Sequence, residues 1–198
     1  MRKILLFIIL FSAFYSHGQT SLEYFQQGCG KLNQKDYAGA IIDYNKAIKI
    51  KPADYASYWQ RGNAKIYLKD TVGAMEDYSK AIDLMNQNLK ITKDGIDSVN
   101  LARSYAKRGT YKYELRDYKG AIEDINIAFE LQPLGTQPPK MMPDNDTPIQ
   151  HRYKYYYYRG LSKYNLKDTL GACLDWNKAV ELGNGMAEAK ELLEKYCK

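Results

Sequence analysis

Residues 58–81 read YWQRGNAKIYLKDTVGAMEDYSKA, and the spacing of the small residues in this stretch decides how the chain folds. From Gly62 an Asp follows at eight residues (Asp70), Gly-Ala at eleven and twelve (Gly73, Ala74), an aromatic at sixteen (Tyr78) and an Ala at nineteen (Ala81). The same ladder runs Gly28, Asp36, Gly39, Ala40, Tyr44, Ala47; then Gly109, Asp117, Gly120, Ala121, Ile125, Ala128; then Gly160, Asp168, Gly171, Ala172, Trp176, Ala179. Four copies at one internal spacing define a repeat.

Within each copy, apolar and aromatic residues recur three and four apart both before the Asp and after the Gly-Ala, which predicts two short helices. Such helices are marginal alone, so each must bury its apolar face on its partner and on the next unit. Asp36, Asp70, Asp117 and Asp168 fall where the second helix begins, and a carboxylate there caps exposed N–H groups. Gly28, Gly62, Gly109 and Gly160 fall in mid-helix, where glycine costs about 1 kcal/mol relative to alanine. A recurring cost implies that the second helix crosses at that point. Gly73, Ala74 and Ala81 are assigned to the same close packing.

The 34-residue step from Gly28 to Gly62, the small, small, aromatic, small ladder, and Pro52 or Pro133 closing a unit resemble the tetratricopeptide repeat. The resemblance covers about 21–54, 55–88, 102–135 and 153–186. Asn86 and Asn184 stand where two units would carry Pro, and Ile125 replaces the large aromatic of the third. The resemblance implies an all-α fold: a right-handed α-solenoid of helix-turn-helix repeats, whose concave wall comes from the first helix of each unit. Two inserts break the array. Residues 89–101 are expected to lengthen a helix closed by a turn at Gly95, and residues 136–152, with Pro138, Pro139, Pro143 and Pro148, to form a loop. Residues 187–197 read as a helix capping the stack.

Arg2 and Lys3 precede an apolar run from Ile4 to Phe14, and small residues follow at Ser16 and Gly18, so residues 1–18 are expected to be a signal peptide cut before Gln19. The run is shorter than the roughly 20 residues a spanning helix needs, and no cysteine follows the cut to carry a lipid. The expected address is therefore exported, periplasmic or secreted, as for an exported bacterial-type member of the family, with no stable membrane insertion after cleavage. Of three cysteines, Cys29, Cys173 and Cys197, an odd count leaves one thiol unpaired or bonded to another chain. Cys173 with Cys197 is the pair to consider, but buried thiols packing as small hydrophobes is the stronger reading.

Composition and motifs narrow the function. Lys and Arg number 29 against 23 Asp and Glu, and the two signs are interspersed along every helix rather than gathered into a basic stripe, so nucleic acid is not the expected partner. The 19 tyrosines against 5 phenylalanines suit half-buried faces of a thin, elongated protein. Past the signal one histidine remains, His151 in the proline-rich insert, which excludes most Ser-His-Asp, Cys-His and zinc arrangements, because each needs an imidazole placed beside a second specific group. Asp144-Asn145-Asp146 lacks the glycine turn and distal Glu of a calcium loop. Glu76-Asp77 and Glu123-Asp124 recur with the repeat, whereas a catalytic pair would occur once. The chain is read as no enzyme, with no cofactor and no metal.

Binding is the expected role: a protein-interaction scaffold holding a peptide or protein partner. The resemblance places Phe25, Cys29, Trp59, Asn63, Tyr67, Arg103, Lys107, Thr110, Tyr113, Tyr157 and Tyr164 on the concave wall, where Trp and Tyr commonly carry interface energy. About half of them are expected to be core. Some members of the family grip a C-terminal carboxylate; Asn63, Arg103 and Lys107 match that pattern, while Phe25 and Cys29 do not. The run from Tyr153 to Tyr158 is too continuous to bury on one face. Arg61, Arg108 and Arg159 each precede the packing Gly, Asp43, Asp77, Asp124 and Asp175 recur on the second helices, and these arginines and aspartates are expected to form inter-helix pairs repeated along the array. The alternative is a structural part of an envelope assembly that uses its convex surface or inserts.

Overall fold

The computed structural model describes residues 19–89, 95–132, 152–183 and 186–197. The expected signal at 1–18, the proline-rich insert with His151, the Asp144-Asn145-Asp146 stretch, Pro133 and Asn184 lie outside the described residues. Among the described residues there are helices and no strand: α1 Ser21–Asn33, α2 Tyr37–Ile50, α3 Tyr55–Tyr67, α4 Thr71–Leu89, α5 Gly95–Glu114, α6 Tyr118–Leu131, α7 Arg152–Asn165, α8 Thr169–Leu182 and α9 Ala187–Tyr196. They pack as the pairs α1/α2, α3/α4, α5/α6 and α7/α8, with α9 against α8. The chain is an all-α solenoid of helix-turn-helix units.

The ladder explains each pair. A Cβ added to Gly28 would lie 2.6 Å from Tyr44 Cε1; the same construction brings Gly62 to 2.9 Å from Tyr78, Gly109 to 2.9 Å from Ile125 and Gly160 to 2.6 Å from Trp176. The glycine of the first helix is the socket for the large residue of the second. Ile125 fills that socket where the other units use an aromatic, and it is fully buried. The first glycine of each Gly-Ala has another reason. Asp36, Asp70, Asp117 and Asp168 accept from the N–H of Gly39, Gly73, Gly120 and Gly171 at 2.9, 2.9, 3.0 and 2.8 Å. A side chain at any of these glycines would run into the capping carboxylate. Gly73 thus serves the cap rather than the packing the sequence reading assigns it.

The turn between paired helices also repeats. Lys35, Lys69, Arg116 and Lys167 all adopt positive φ, 63, 66, 63 and 70°. The following Asp N–H reaches back to Lys31, Lys65, Lys112 and Lys163 carbonyls at 2.9–3.0 Å. This is the left-handed helix stop that usually takes glycine.

Polar staples then join the units. Asp77, Asp124 and Asp175 are buried, and each receives a two-pronged arginine: Arg61 at 2.9 and 2.5 Å, Arg108 at 2.7 and 2.8 Å, Arg159 at 2.9 and 2.6 Å. Lys65, Lys112 and Lys163, one turn on, meet the same carboxylates at 2.9, 3.1 and 2.8 Å. The remaining arginine nitrogen reaches the preceding unit, at Asn45, Ser79 and Asn126 respectively, 2.6–3.1 Å away. These three acceptors occupy one repeat position. The expected Arg–Asp pairs therefore bridge the two helices of a unit onto a buried carboxylate, and each arginine's further contact reaches the preceding unit.

Asn86, in place of proline, leaves α4 free to run to Leu89, and residues 95–101 form the opening turns of α5. Gly95 begins that helix instead of closing one. At the far end Cys173 and Cys197 form a disulfide, with Cα atoms 5.8 Å apart, which corrects the reading of both as buried thiols. Packing of α9 on α8 brings the two within bridging reach. Cys29 is free and accepts a contact from the Tyr44 hydroxyl at 3.5 Å.

Candidate functional site

The first helices of the units, α1, α3, α5 and α7, share a face along which cavities follow one another. One is bounded by Leu32, Asn63, Tyr67, Lys107 and Tyr111 and holds about 300 Å³. The next, about 320 Å³, is bounded by Lys107, Thr110, Tyr111, Glu114, Lys154 and Tyr158. Lys107 and Tyr111 belong to both, so the two form one groove across α3, α5 and α7. A third cavity, about 140 Å³, opens beside Trp59 and Gln60, which also line the first of these.

The predicted wall residues divide. Tyr67 is 60% exposed and lies flat on Tyr37 of the preceding unit, ring centroids 4.4 Å apart. Lys107 Nζ sits 5.1 Å from the centre of the Trp59 ring, and the Arg103 guanidinium 5.8 Å. Asn63 is only 8% exposed: its Oδ1 accepts from Tyr78 at 2.9 Å and Lys107 at 3.1 Å, and its Nδ2 donates to Gln60 at 3.0 Å. It fixes the groove more than it faces it. Thr110 borders the groove while its hydroxyl donates to the Ala106 carbonyl of its own helix at 3.0 Å. Phe25 packs against Tyr44 and also lines the third cavity, while Cys29 packs in the first unit's core.

The remaining three are drawn elsewhere. Tyr113 packs against Tyr118 and Tyr158. Tyr157 and Tyr164 join the cluster around Trp176 and Ala189 under the end helix α9, and Tyr164 lies 4.5 Å from the Tyr196 ring. The groove residues absent from the predicted wall set are Leu32, Gln60, Ile66, Tyr111 and Glu114, together with Lys154, Tyr155 and Tyr158 from the tyrosine-rich run.

No protein-family model matches the sequence, and no curated protein matches it. Solved structures do. A crystal structure of MamA superposes with a TM-score of 0.68 at 19% identity, over 89% of this chain and 80% of that one. PilF of Pseudomonas aeruginosa gives 0.62 at 21% identity over 88% and 68%. The TPR2B domain of yeast Sti1, solved as a pHsp70 complex, gives 0.54 at 21% identity over 71% and 96%. The fold is that of the tetratricopeptide repeat.

Within this tetratricopeptide wall the charges are arranged unevenly. Burial pushes the Tyr111 hydroxyl up to about 12, helped by Glu114, Tyr67 and Tyr158. Burial likewise raises the Glu114 carboxyl above the usual carboxylate range, against the pull of Lys69. Tyr158 is raised first by burial and then by Glu114. The groove therefore has neutral phenols and a weakened carboxylate along α5 and α7, and cations at Arg103, Lys107 and Lys154. Asn63 and Lys107, two of the matches to a carboxylate grip, are hydrogen-bonded to each other.

Proposed function

We propose that the chain is a non-enzymatic scaffold whose concave groove holds an extended acidic segment of a partner protein. The observation that carries this reading is the continuity of the groove: Lys107 and Tyr111 are shared by consecutive cavities lined with aromatic and cationic side chains. Aromatic faces supply contact area at low conformational cost, and cations select an acidic partner. A helix-pair array of comparable size, the Sti1 domain, is described in complex with pHsp70, which supports partner binding by this kind of scaffold.

The recurring carboxylate pairs fit the non-enzymatic reading. In Glu76-Asp77 and Glu123-Asp124 the aspartates are buried under arginines while the glutamates face solvent, so the members of each pair do not share a site. We also propose that the protein works in an oxidising, exported setting. The Cys173–Cys197 bond supports this, because such bonds persist outside reducing compartments. Thiol labelling of the protein in its native cells tests it; finding both thiols reduced would overturn it.

Capture by the immobilised chain from Gln19 onward tests the groove. Tyr67→Ala combined with Lys107→Glu should abolish capture of a native envelope partner. A second reading, structural assembly through another surface, is favoured by Leu170 and Leu174, which are 76% and 64% exposed four residues apart on α8. Capture that survives the groove substitutions and disappears with Leu170→Glu and Leu174→Glu would replace the first reading with the second.

A further inference from the structure

The end helix α9 keeps the register of the repeat it closes. The 34-residue step that separates Gly28 from Gly62 carries Gly160 onto Glu194, inside α9. The packing agrees with that count. Tyr196 meets the Trp176 ring at 6.3 Å as Tyr111 meets the Tyr78 ring at 6.1 Å, and the two pairs occupy the same repeat positions. α9 is therefore placed as the first helix of a fifth unit. Glu194 stands where that unit would carry its packing glycine, so α9 offers no socket for a second helix and contributes a wall face alone.

That face changes sign. Arg103, Lys154 and Glu188 share one repeat position on α5, α7 and α9, two cations followed by an anion. Glu191, one turn on, takes the position of Trp59 and Tyr157. Both glutamates are exposed. α9 lies directly beside α7, with the Tyr196 ring 4.5 Å from Tyr164, and the glutamates act on the wall there: burial raises the Tyr157 hydroxyl, and Tyr113, Tyr158, Glu188 and Glu191 add to the rise. Tyr158, edge-on to Tyr157 at 5.5 Å, borders the cavity that Lys107 and Lys154 line. The other charges nearby are placed differently. Lys195 stands over the Tyr196 ring at 5.0 Å. Glu114 borders the groove about three turns along α5 from Arg103, with Lys69 as its near charge.

We propose that the groove runs on over α9 with its charge reversed, and takes a protein segment in which an acidic run facing Arg103, Lys107 and Lys154 is followed by one lysine or arginine facing Glu188 and Glu191. The proposal rests on the groove reading above. Packed helices stand about 8–10 Å apart and an extended chain advances about 3.3 Å per residue, so the base lies about three residues past the acidic run. A wholly acidic segment is repelled at α9 and a wholly basic one at α5 and α7. The sign change thus selects the partner and sets its register.

The test is a set of synthetic peptides, each an acidic run of randomised sequence with Lys or Ala at increasing distances past either end, probed with the chain from Gln19 onward. In the wild type Lys should bind about fivefold tighter than Ala, the worth of a well-placed exposed ion pair, with the gain greatest about three residues past the run. Glu188→Lys combined with Glu191→Lys should turn the gain into a loss. Glu194→Lys makes the same reversal on the side of α9 where a second helix would pack, and should leave the gain in place. All three glutamates are exposed, so the variants should melt as the wild type does. If acidic peptides bind but Lys gives no gain, the sign change is wrong while the groove stands. A gain that survives the double substitution, or disappears equally in Glu194→Lys, also overturns the proposal. If no acidic peptide binds the wild type, groove and sign change fall together.

Discussion

Lys107 and Arg108 are neighbours in the chain and opposites in use. Arg108 turns inward, donates twice to buried Asp124 and reaches Ser79 of the preceding unit. Lys107 turns to the groove, over Trp59 and onto Asn63. The arginine recurs in three units with the same partners; the lysine position holds Gln26, Gln60 and Tyr158 in the other copies. A first helix thus carries a face that repeats because packing dictates it and a face that varies because packing does not. Specificity has room only on the second.

The difference can be pressed hardest at Arg108. Burial works against its charge, and the Asp124 hydrogen bonds and charge more than offset this. Arg108→Ala removes the main partner of a buried carboxylate and should cost about 3 kcal/mol, a fall in Tm of roughly 6–12 °C. Lys107→Ala should stay within about 0.5 kcal/mol of wild type in the same melt and lose its effect only in peptide capture. Equal melting losses would erase the distinction.

Two glycines in α1 give a sharper, smaller contrast. Gly28→Ala drives a methyl into the Tyr44 ring, whereas a Cβ on Gly30 meets nothing within 4 Å. The first should destabilise by about 1–3 kcal/mol and the second stabilise by about 0.5–1 kcal/mol through helix propensity, both read by urea titration. Smallest is an alkaline effect of the groove. The folded state holds the Tyr111 proton up to about 12 against an ordinary 10.0, so the unfolded chain releases that proton first. Stability should be level below about pH 10 and decline as pH rises toward 12, with a shallower decline in Tyr111→Phe. An identical slope in the variant would show that Tyr111 ionises freely.

The fold was legible because its determinants are spaced glycines, aspartates and alanines whose roles follow from sterics alone. Even the arginine staples show in the sequence, since Arg61, Arg108 and Arg159 share one repeat position and an aspartate recurs on all four second helices, at Asp43, Asp77, Asp124 and Asp175. The groove was legible only where one unit carries something the others lack, as at Trp59, Tyr67 and Lys107. Tyr111 escaped because its position holds Gly30, Ala64 and Ser162 elsewhere, which reads as a place for small packing residues. Tyr157 and Tyr164 misled for the converse reason: their register belongs to the wall, but α9 docks across it. The end helix keeps the repeat step but carries Glu194 where the ladder would place its glycine, so the ladder did not disclose where it lands. The same gap hid the Cys173–Cys197 bond.

That bond gives the array a direction. The first unit carries Gln27 where the other three have arginine, and its Asp43 is met by lysines alone, Lys31 and Lys46. The last unit is covalently clasped to its end helix. In a stack where each unit leans mainly on its neighbours, opening spreads from the weakest end. Amide exchange should therefore be fastest in α1 and α2 and slowest in α8, so that the molecule unzips from its beginning and is held, like a chain on a hook, by its last turn.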